Sequence, residues 1–332
     1  MIARPTRQDW LLLFVLGVMW GTSYVFIKIA IESLSTFTLI AVRLGIGLAL
    51  LATVVAVRRV PLPREPRIYG HLLVMSVINI VIPFTLITTA EQQVDSNIAA
   101  IINGAVPLFV VVIAAFALHD EPLTINRLAG ISIGYIGVVV LVSRGLLEGG
   151  TTASLSGELM LVGSTLAYAV GAVYSRAKMR GVPPLVPALF QVAFAFVLVS
   201  IVAVATEHPL AQAWTTDALF AIAWLGIFGS GIAYILNFRL LSRIGAGGTS
   251  VLAYLLPIVG IVSGFALRRE AVDASLLVGT ALILGGIGLT TRKWGQRTIF
   301  GQSRQASTAT SGAAAVAEAT SATAPGAPPR PR

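Results

Sequence analysis

The residues of this sequence that could do chemistry are polar side chains placed inside long apolar runs. Lys28 and Arg43 are cations in such runs, and Asn79 and Asn103 carry amides in such runs. Burying an unpartnered amide costs about 1–3 kcal/mol, and burying a charge costs more. Such side chains are expected where they contact a ligand, water or a neighbouring helix. The chemistry that they indicate is recognition of a small polar molecule.

Aromatic rings and prolines complete the set of candidates. An aromatic ring offers a flat face to an apolar ligand, and a proline inside a helix leaves backbone carbonyl groups free to line a cavity. Each candidate also has a structural alternative: a tolerated kink, an interhelical hydrogen bond or a place in the interfacial aromatic belt. The predicted substrate-binding residues are Trp20, Tyr24, Asn79, Pro83, Asn103, Pro107, Tyr168, Tyr234, Asn237, Tyr254 and Pro257.

Three charged residues are predicted to act in gating or as structural charges. Lys28 and Arg43 lie inside the first two apolar runs, and Glu91 follows the third. An ion pair between Arg43 and Glu91 is one predicted arrangement. For Lys28, the alternative is a side chain that extends to the membrane interface near Glu32.

The sequence offers little for catalysis. It has no cysteine, and its three histidines, His71, His119 and His208, are scattered at the ends of apolar runs or in loops. No carboxylate pair shares an apolar run, and no glycine-rich phosphate loop is present. We therefore predict no catalytic residue, no metal site and no cofactor, which disfavours a membrane-embedded lipid-modifying enzyme.

The composition places these residues in a lipid membrane. The 332 residues are 56% hydrophobic and 11% charged, with a mean hydropathy of +0.87, whereas soluble domains carry about 25% charged residues. Ten apolar runs are long enough to cross a bilayer, which predicts an all-α integral membrane protein with ten transmembrane helices. The runs lie near residues 10–31, 36–57, 68–90, 97–118, 126–143, 157–176, 185–206, 218–239, 247–267 and 274–291.

The positions of lysine and arginine predict the orientation in the membrane. The net charge of +9 comes from residues in alternate loops, such as segment 58–67, and no single basic patch is evident. Because cytoplasmic loops carry the excess of positive charge, both termini are predicted to be cytoplasmic. Topology thus accounts for the charge, and no nucleic-acid partner is predicted.

The second half of the sequence repeats features of the first half at an offset of about 150 residues. Arg43 falls on Gln191, and Pro107 falls on Pro257. Five helices per half is an odd number, so the two halves enter the membrane from opposite sides, as in alternating-access transporters. We predict a first repeat over residues 1–148, a linker over 149–156, a second inverted repeat over 157–293 and a disordered tail over 294–332, where the composition cannot form a core.

Taken in order, these motifs resemble the drug/metabolite transporter superfamily, and specifically its bacterial ten-helix EamA-type exporters, including the aromatic amino-acid exporter branch. The resemblance covers about residues 8–293, and it implies two inverted repeats around a central cavity lined by helices one, three, four, six, eight and nine. One departure is that Arg268 to Ala271 stands where the first half has His119 to Pro122. The matching residues are Trp20-Gly21, Lys28, Arg43, Asn103 to Pro107, Asp120-Glu121-Pro122, Gly130, Gly134, Gly137, Pro257 and Gly279 to Gly288.

The predicted function is export of amino acids or similar small metabolites across a bacterial inner membrane by alternating access. No acidic residue is predicted near the middle of a span, which favours facilitated export, with Glu91 or Glu158 as the alternative carriers of proton coupling. Multidrug export, nucleotide or sugar export and a channel-like subunit are the alternative functions. The glycines of spans five and ten predict close helix packing, with homodimerisation through these faces as the alternative.

Overall fold

The computed structural model describes residues 5–117, 123–147, 152–179, 181–291 and 298–300. Ten apolar helices follow one another in the described chain, which confirms the predicted all-α membrane fold. Nine of them are long and apolar enough to cross a membrane, and the remaining one, Leu252–Arg268, is shorter. In chain order they are α1 (Arg7–Ala30), α2 (Thr36–Val57), α3 (Pro66–Ala90), α4 (Ser96–Ala117), α5 (Ile125–Leu147), α6 (Thr152–Lys178), α7 (Leu185–Thr206), α8 (Thr216–Gly245), α9 (Leu252–Arg268) and α10 (Ala274–Thr291).

Two boundaries differ from the sequence-based expectation. Helix α6 begins at Thr152, inside the predicted linker. Two short strands, β1 (Leu123–Thr124) and β2 (Thr298–Phe300), pair antiparallel, so residues 298–300 of the predicted tail form a strand. The physical reason is local: Thr-Ile-Phe is a β-prone triplet within a tail otherwise rich in small residues. The rest of the predicted tail lies outside the described residues.

Four helices are interrupted near their centres. In α1 the helical geometry breaks at Thr22, and in α4 it breaks at Ala105, two residues before Pro107. Helices α3 and α8 each contain a π-helical segment, at Val77–Val81 and Leu225–Ile232. These two segments correspond at the repeat offset of about 150 residues. Because π-helical turns often mark functional positions, these interruptions indicate that the functional site lies at the centre of the bundle.

Helices of the first five pack on helices of the second five. Helix α2 lies against α7 and α8, α4 lies against α9, and α3 lies against α6. The glycine ladders serve the contact between α5 and α10. A methyl group at Gly130 would come within 2.5 Å of the Gly286 carbonyl oxygen, and one at Gly137 within 2.8 Å of the Gly279 oxygen. The faces that carry Gly130, Gly137, Gly279 and Gly286 are therefore occupied by contacts within one chain.

Candidate functional site

A central cavity of about 840 Å³ lies between the interrupted helices. The end of the bundle at which α1 begins is called proximal below, and the opposite end distal. Among the described residues, α1 to α4 and α6 to α9 contribute to the wall, whereas α5 and α10 do not. The resemblance implies that six of these helices line the cavity, and the structure adds α2 and α7 to them.

The cavity is accessible at its proximal end. Arg176 and Pro184, which line it there, are exposed, whereas Tyr24, Ile27 and Ile87, which line it toward the distal end, are buried. A small molecule could therefore enter between the proximal ends of the helices and meet a closed distal wall.

Most of the predicted binding residues lie on this wall, although their part in binding stays a prediction. The exceptions are Pro83, Tyr254 and Pro257, which are not among the lining residues. The Pro257 ring packs on α4, where a methyl group at Gly104 would come within 2.6 Å of it. The Tyr254 hydroxyl lies near Gly288 of α10. The predicted residues that line the cavity are Trp20, Tyr24, Arg43, Asn79, Asn103, Pro107, Tyr168, Tyr234 and Asn237.

Trp20 joins the two halves at the cavity wall. Its indole Nε1 donates a hydrogen bond of 3.2 Å to the carbonyl oxygen of Gly229, which lies in the π-helical segment of α8. Its ring meets the Tyr234 ring edge to face, with 6.3 Å between the ring centroids. The indole is thus held by a polar and an aromatic contact, as is usual for partly buried tryptophan.

Arg43 is buried on the same wall, with 5% of its surface exposed. Its Nε donates a 2.9 Å hydrogen bond to the Ser230 Oγ, and its guanidinium carbon lies 4.2 Å from the centroid of the Phe84 ring. The predicted ion pair with Glu91 is not formed, because the Arg43 side chain is directed to α8 and α3 instead.

Asn79 and Asn103 are both used in contacts with neighbouring helices. The Asn79 Nδ2 donates a 3.0 Å hydrogen bond to the Gln191 Oε1 of α7. The Asn103 Oδ1 accepts a 2.9 Å hydrogen bond from the Ser164 Oγ of α6. Each amide therefore lines the cavity while it also joins one half to the other.

Gly171 of α6 leaves the space that the Asn79 amide occupies. A Cβ atom at residue 171 would overlap the Asn79 side chain. We expect Gly171→Ala to displace Asn79, break its bond to Gln191 and lower transport at least tenfold. Gly163→Ala on the same helix is the matched control, because its Cβ would meet only Leu86 at an ordinary 3.4 Å. Transport assays on both variants check this, and equal activities would contradict it.

Lys28 and Glu91 lie near the distal end and are absent from the described cavity wall. The Lys28 Nζ donates to the backbone oxygens of Glu91 and Val94, at 2.8 Å for Val94. The Glu91 carboxylate is fully buried, and neither of its oxygens has a hydrogen-bond partner among the described residues. Burial raises the pKa of Glu91 well above its ordinary value, and the nearby Lys28 charge opposes that rise.

The sign of this pKa change gives a testable pH dependence. The folded protein keeps a proton on Glu91 at pH values where the unfolded chain releases it, so Glu91 lowers stability as pH rises above about 4.3, the ordinary pKa of glutamate. We expect Glu91→Gln to reduce the fall in Tm between about pH 5 and about pH 8.

The measurement is thermal unfolding of the purified protein across that pH range. The exposed Glu65→Gln is the control, and it should leave the pH profile of the parent protein unchanged. A Glu91→Gln profile that matches the parent would show that the buried carboxyl does not titrate in this way.

Two glutamates join the two halves at the distal end by accepting hydrogen bonds. Glu270, after α9, accepts from the backbone nitrogens of Ser96 and Asn97 at 3.0 and 2.9 Å. Glu207, after α7, accepts from the backbone nitrogens of Phe37 and Thr38 at 3.0 and 2.7 Å. Both carboxylates therefore cap the first turns of helices from the other half, where a negative charge is favourable.

Sequence reasoning missed several residues of the site. Ser230 and Phe84 contact Arg43, and Phe84, Ser23 and Phe238 line the cavity. The internal repeat could have identified Ser230, because it falls within one residue of Asn79 at an offset of about 150 residues. Phe84, Ser23 and Phe238 carry no comparable signal.

Sequence and structure comparisons agree with this architecture. The model of the EamA-like transporter family matches residues 9–143 and 155–292. The inner membrane transporter YedA of Escherichia coli K12 is 28% identical over 84% of this chain and 89% of its own length. A protein of Salmonella typhimurium named "Probable amino-acid metabolite efflux pump" is 25% identical over 85% of this chain and 94% of its own. A solved crystal structure matches with a TM-score of 0.64 and 24% identity, covering 86% of this chain and 97% of that one, which supports the fold.

The helical bundle, its central cavity and these relatives define a multi-span membrane transporter for a small molecule. The chain belongs to the EamA-like transporter family of the drug/metabolite transporter superfamily.

Proposed function

We propose that this transporter exports amino acids or similar small metabolites from the cytoplasm by alternating access. The observation that carries the proposal is the central cavity, which both halves line, which is accessible proximally and which is closed distally. A carrier requires a binding cavity that opens to one side at a time. The volume of about 840 Å³ lies in the range of about 300–1,000 Å³ typical of small-molecule sites.

The chemistry of the wall supports an amino acid as the substrate class. Aromatic rings such as Trp20 and Tyr168 would contact an apolar side chain, while Asn79, Asn103 and Arg43 offer polar groups to the backbone atoms of the substrate. The name of the Salmonella relative, "Probable amino-acid metabolite efflux pump", points to the same class.

Orientation follows from charge. The loops at the proximal end include the basic segments 58–67 and 176–180, so that end faces the cytoplasm by the positive-inside rule. The protein then lies in the inner membrane with its N-terminus inside, and residues 1–148 and 157–293 form the two inverted repeats.

Transport is facilitated and runs down the substrate gradient. None of the described residues that line the cavity is acidic, whereas a proton-coupled carrier normally cycles a proton on a carboxylate that the substrate cavity can reach. Strong acceleration of reconstituted transport by a pH gradient would overturn this part of the proposal.

The test is counterflow in proteoliposomes loaded with a mixed pool of amino acids. We expect uptake of labelled amino acids to saturate and to depend on the internal pool. Non-saturating flux without counterflow would indicate a channel. Absence of exchange with any amino acid would overturn the proposed substrate class and direct the search to drugs, sugars and nucleotides.

A further inference from the structure

Arg43 is a buried cation that forms no salt bridge with the described residues, and the nearest acidic influence, that of Glu91, acts without direct contact. Its observed partners are the Ser230 hydroxyl and the Phe84 ring, both of them neutral. The salt bridges Arg243–Asp9 and Arg268–Glu32 do not involve Arg43. An arginine stays protonated under ordinary conditions, and a buried charge without an opposite charge is costly. A role that needs the positive charge would explain why this cost is tolerated.

The internal repeat provides a neutral counterpart of this contact. Gln191 occupies the position in the second half that corresponds to Arg43, and Asn79 lies within one residue of the position that corresponds to Ser230. Both pairs connect a helix of one half to a π-helical segment of the other half. Arg43 Nε of α2 donates to Ser230 Oγ of α8 at 2.9 Å. Asn79 Nδ2 of α3 donates to Gln191 Oε1 of α7 at 3.0 Å. Since an amide makes the contact in one half, joining the helices does not itself require a charge.

The geometry leaves part of the Arg43 guanidinium available. The bond from Nε fixes its orientation, and among the described residues the terminal Nη atoms have no hydrogen-bond partner. A guanidinium fork binds a carboxylate through two parallel hydrogen bonds. None of the described residues that line the cavity is acidic, so the charge of the wall favours an anion.

We infer that Arg43 binds the carboxylate group of the substrate, so that the transporter selects small carboxylic acids with an apolar or aromatic body. The inference rests on the proposed transport function and adds to it a binding role for Arg43. Tyr24, Tyr168 and Tyr234 line the same cavity and surround the remainder of such a molecule with aromatic rings.

The test compares the affinity of the purified full-length protein for each amino acid with its affinity for the corresponding amide, in which an uncharged group replaces the carboxylate. Isothermal titration calorimetry is performed with phenylalanine and phenylalaninamide, leucine and leucinamide, and methionine and methioninamide. We expect at least one acid to bind ten times more tightly than its amide, because the amide cannot accept two charge-assisted bonds from Arg43.

Arg43→Gln is the informative variant, because glutamine occupies the corresponding position in the other half. It should reduce the preference for the acid to less than about threefold and leave amide binding unchanged, whereas Arg43→Lys should retain part of the preference. A merely structural role would weaken acid and amide equally. If Arg43→Gln does not fold, the comparison of acid and amide binding by the parent protein still tests whether the site prefers a carboxylate.

Three results would overturn the inference: no acid of the panel binds more tightly than its amide, no acid binds, or Arg43→Gln keeps the full preference. Counterflow separates this failure from that of the transport function. Saturable exchange of amino acids without preference for the acid leaves the transporter in place and removes the role of Arg43. Absence of saturable exchange with any solute removes the transport proposal itself.

Discussion

Trp20→Ala is expected to lower saturable amino-acid exchange at least tenfold. The change removes the indole that forms part of the cavity wall, its hydrogen bond to the Gly229 carbonyl and its edge-to-face contact with Tyr234. Truncating a buried tryptophan costs about 3–5 kcal/mol, and Trp20 is partly buried, so the loss of stability should be smaller than this. The main effect should therefore fall on transport.

Trp10→Ala is the matched control for this prediction. Trp10 lies in the same helix but is 50% exposed on the outside of the bundle. Counterflow rates and thermal unfolding of both variants provide the measurement, and Trp20→Phe separates the role of the ring from that of the indole N–H. Equal losses of exchange in the two alanine variants would show that the tryptophans of α1 stabilise the helix and that Trp20 has no special role at the cavity wall.

The sequence predicted the helices well because burial in lipid imposes a simple rule. Every backbone polar group in the hydrocarbon must be satisfied within the chain, so a long apolar run has few alternatives to a helix. The predicted run at 36–57 coincides with α2. Helix α8 extends beyond its predicted run at 218–239, because Arg239 and Arg243 interrupt the apolar pattern without ending the helix.

Side-chain partners could be predicted only in part. The sequence predicts Arg43 as a gating or structural charge that pairs with Glu91, but the direction of its side chain depends on how α2 crosses α8, which no local pattern encodes. The π-helical segments are a second example. They place Gly229 and Ser230 next to Trp20 and Arg43, yet neither Val77–Val81 nor Leu225–Ile232 has a composition that distinguishes a π-helix from an α-helix.

The internal repeat was the strongest source of information about the site. It pairs Arg43 with Gln191, and in the structure each of these two residues forms a hydrogen bond to the other half. The same symmetry did not extend to every proline. Pro107 lines the cavity, whereas Pro257 packs against Gly104, because the surroundings of α4 and α9 differ.

Glu270→Gln is expected to open the distal end of the cavity. The Glu270 side chain is buried and its carboxylate accepts hydrogen bonds from the Ser96 nitrogen, the Ser96 hydroxyl and the Asn97 nitrogen. Charge-assisted bonds at a helix N-terminus are about twice as strong as neutral ones. An amide retains one acceptor and loses the charge, so the contact between α9 and α4 should weaken and the distally open state should become more populated.

The absence of cysteine from the sequence makes this directly measurable. A single Ile87→Cys substitution places a thiol on the buried distal part of the cavity wall. In oriented membranes, a thiol reagent that cannot cross the bilayer should label this cysteine from the proximal side in the parent background. Adding Glu270→Gln should increase labelling from the distal side at least tenfold.

Glu32→Gln provides the matched control at the same end. Glu32 forms a salt bridge with Arg268, but its side chain is 54% exposed, and exposed pairs contribute only about 0–1 kcal/mol. The Glu32→Gln substitution should therefore leave labelling of the cysteine from the distal side unchanged. If Glu270→Gln also leaves it unchanged, the buried carboxylate does not hold the distal end closed. If the parent protein is labelled equally from both sides, the cavity is not closed distally in the membrane, and alternating access would need a different barrier from the one that Glu207 and Glu270 form.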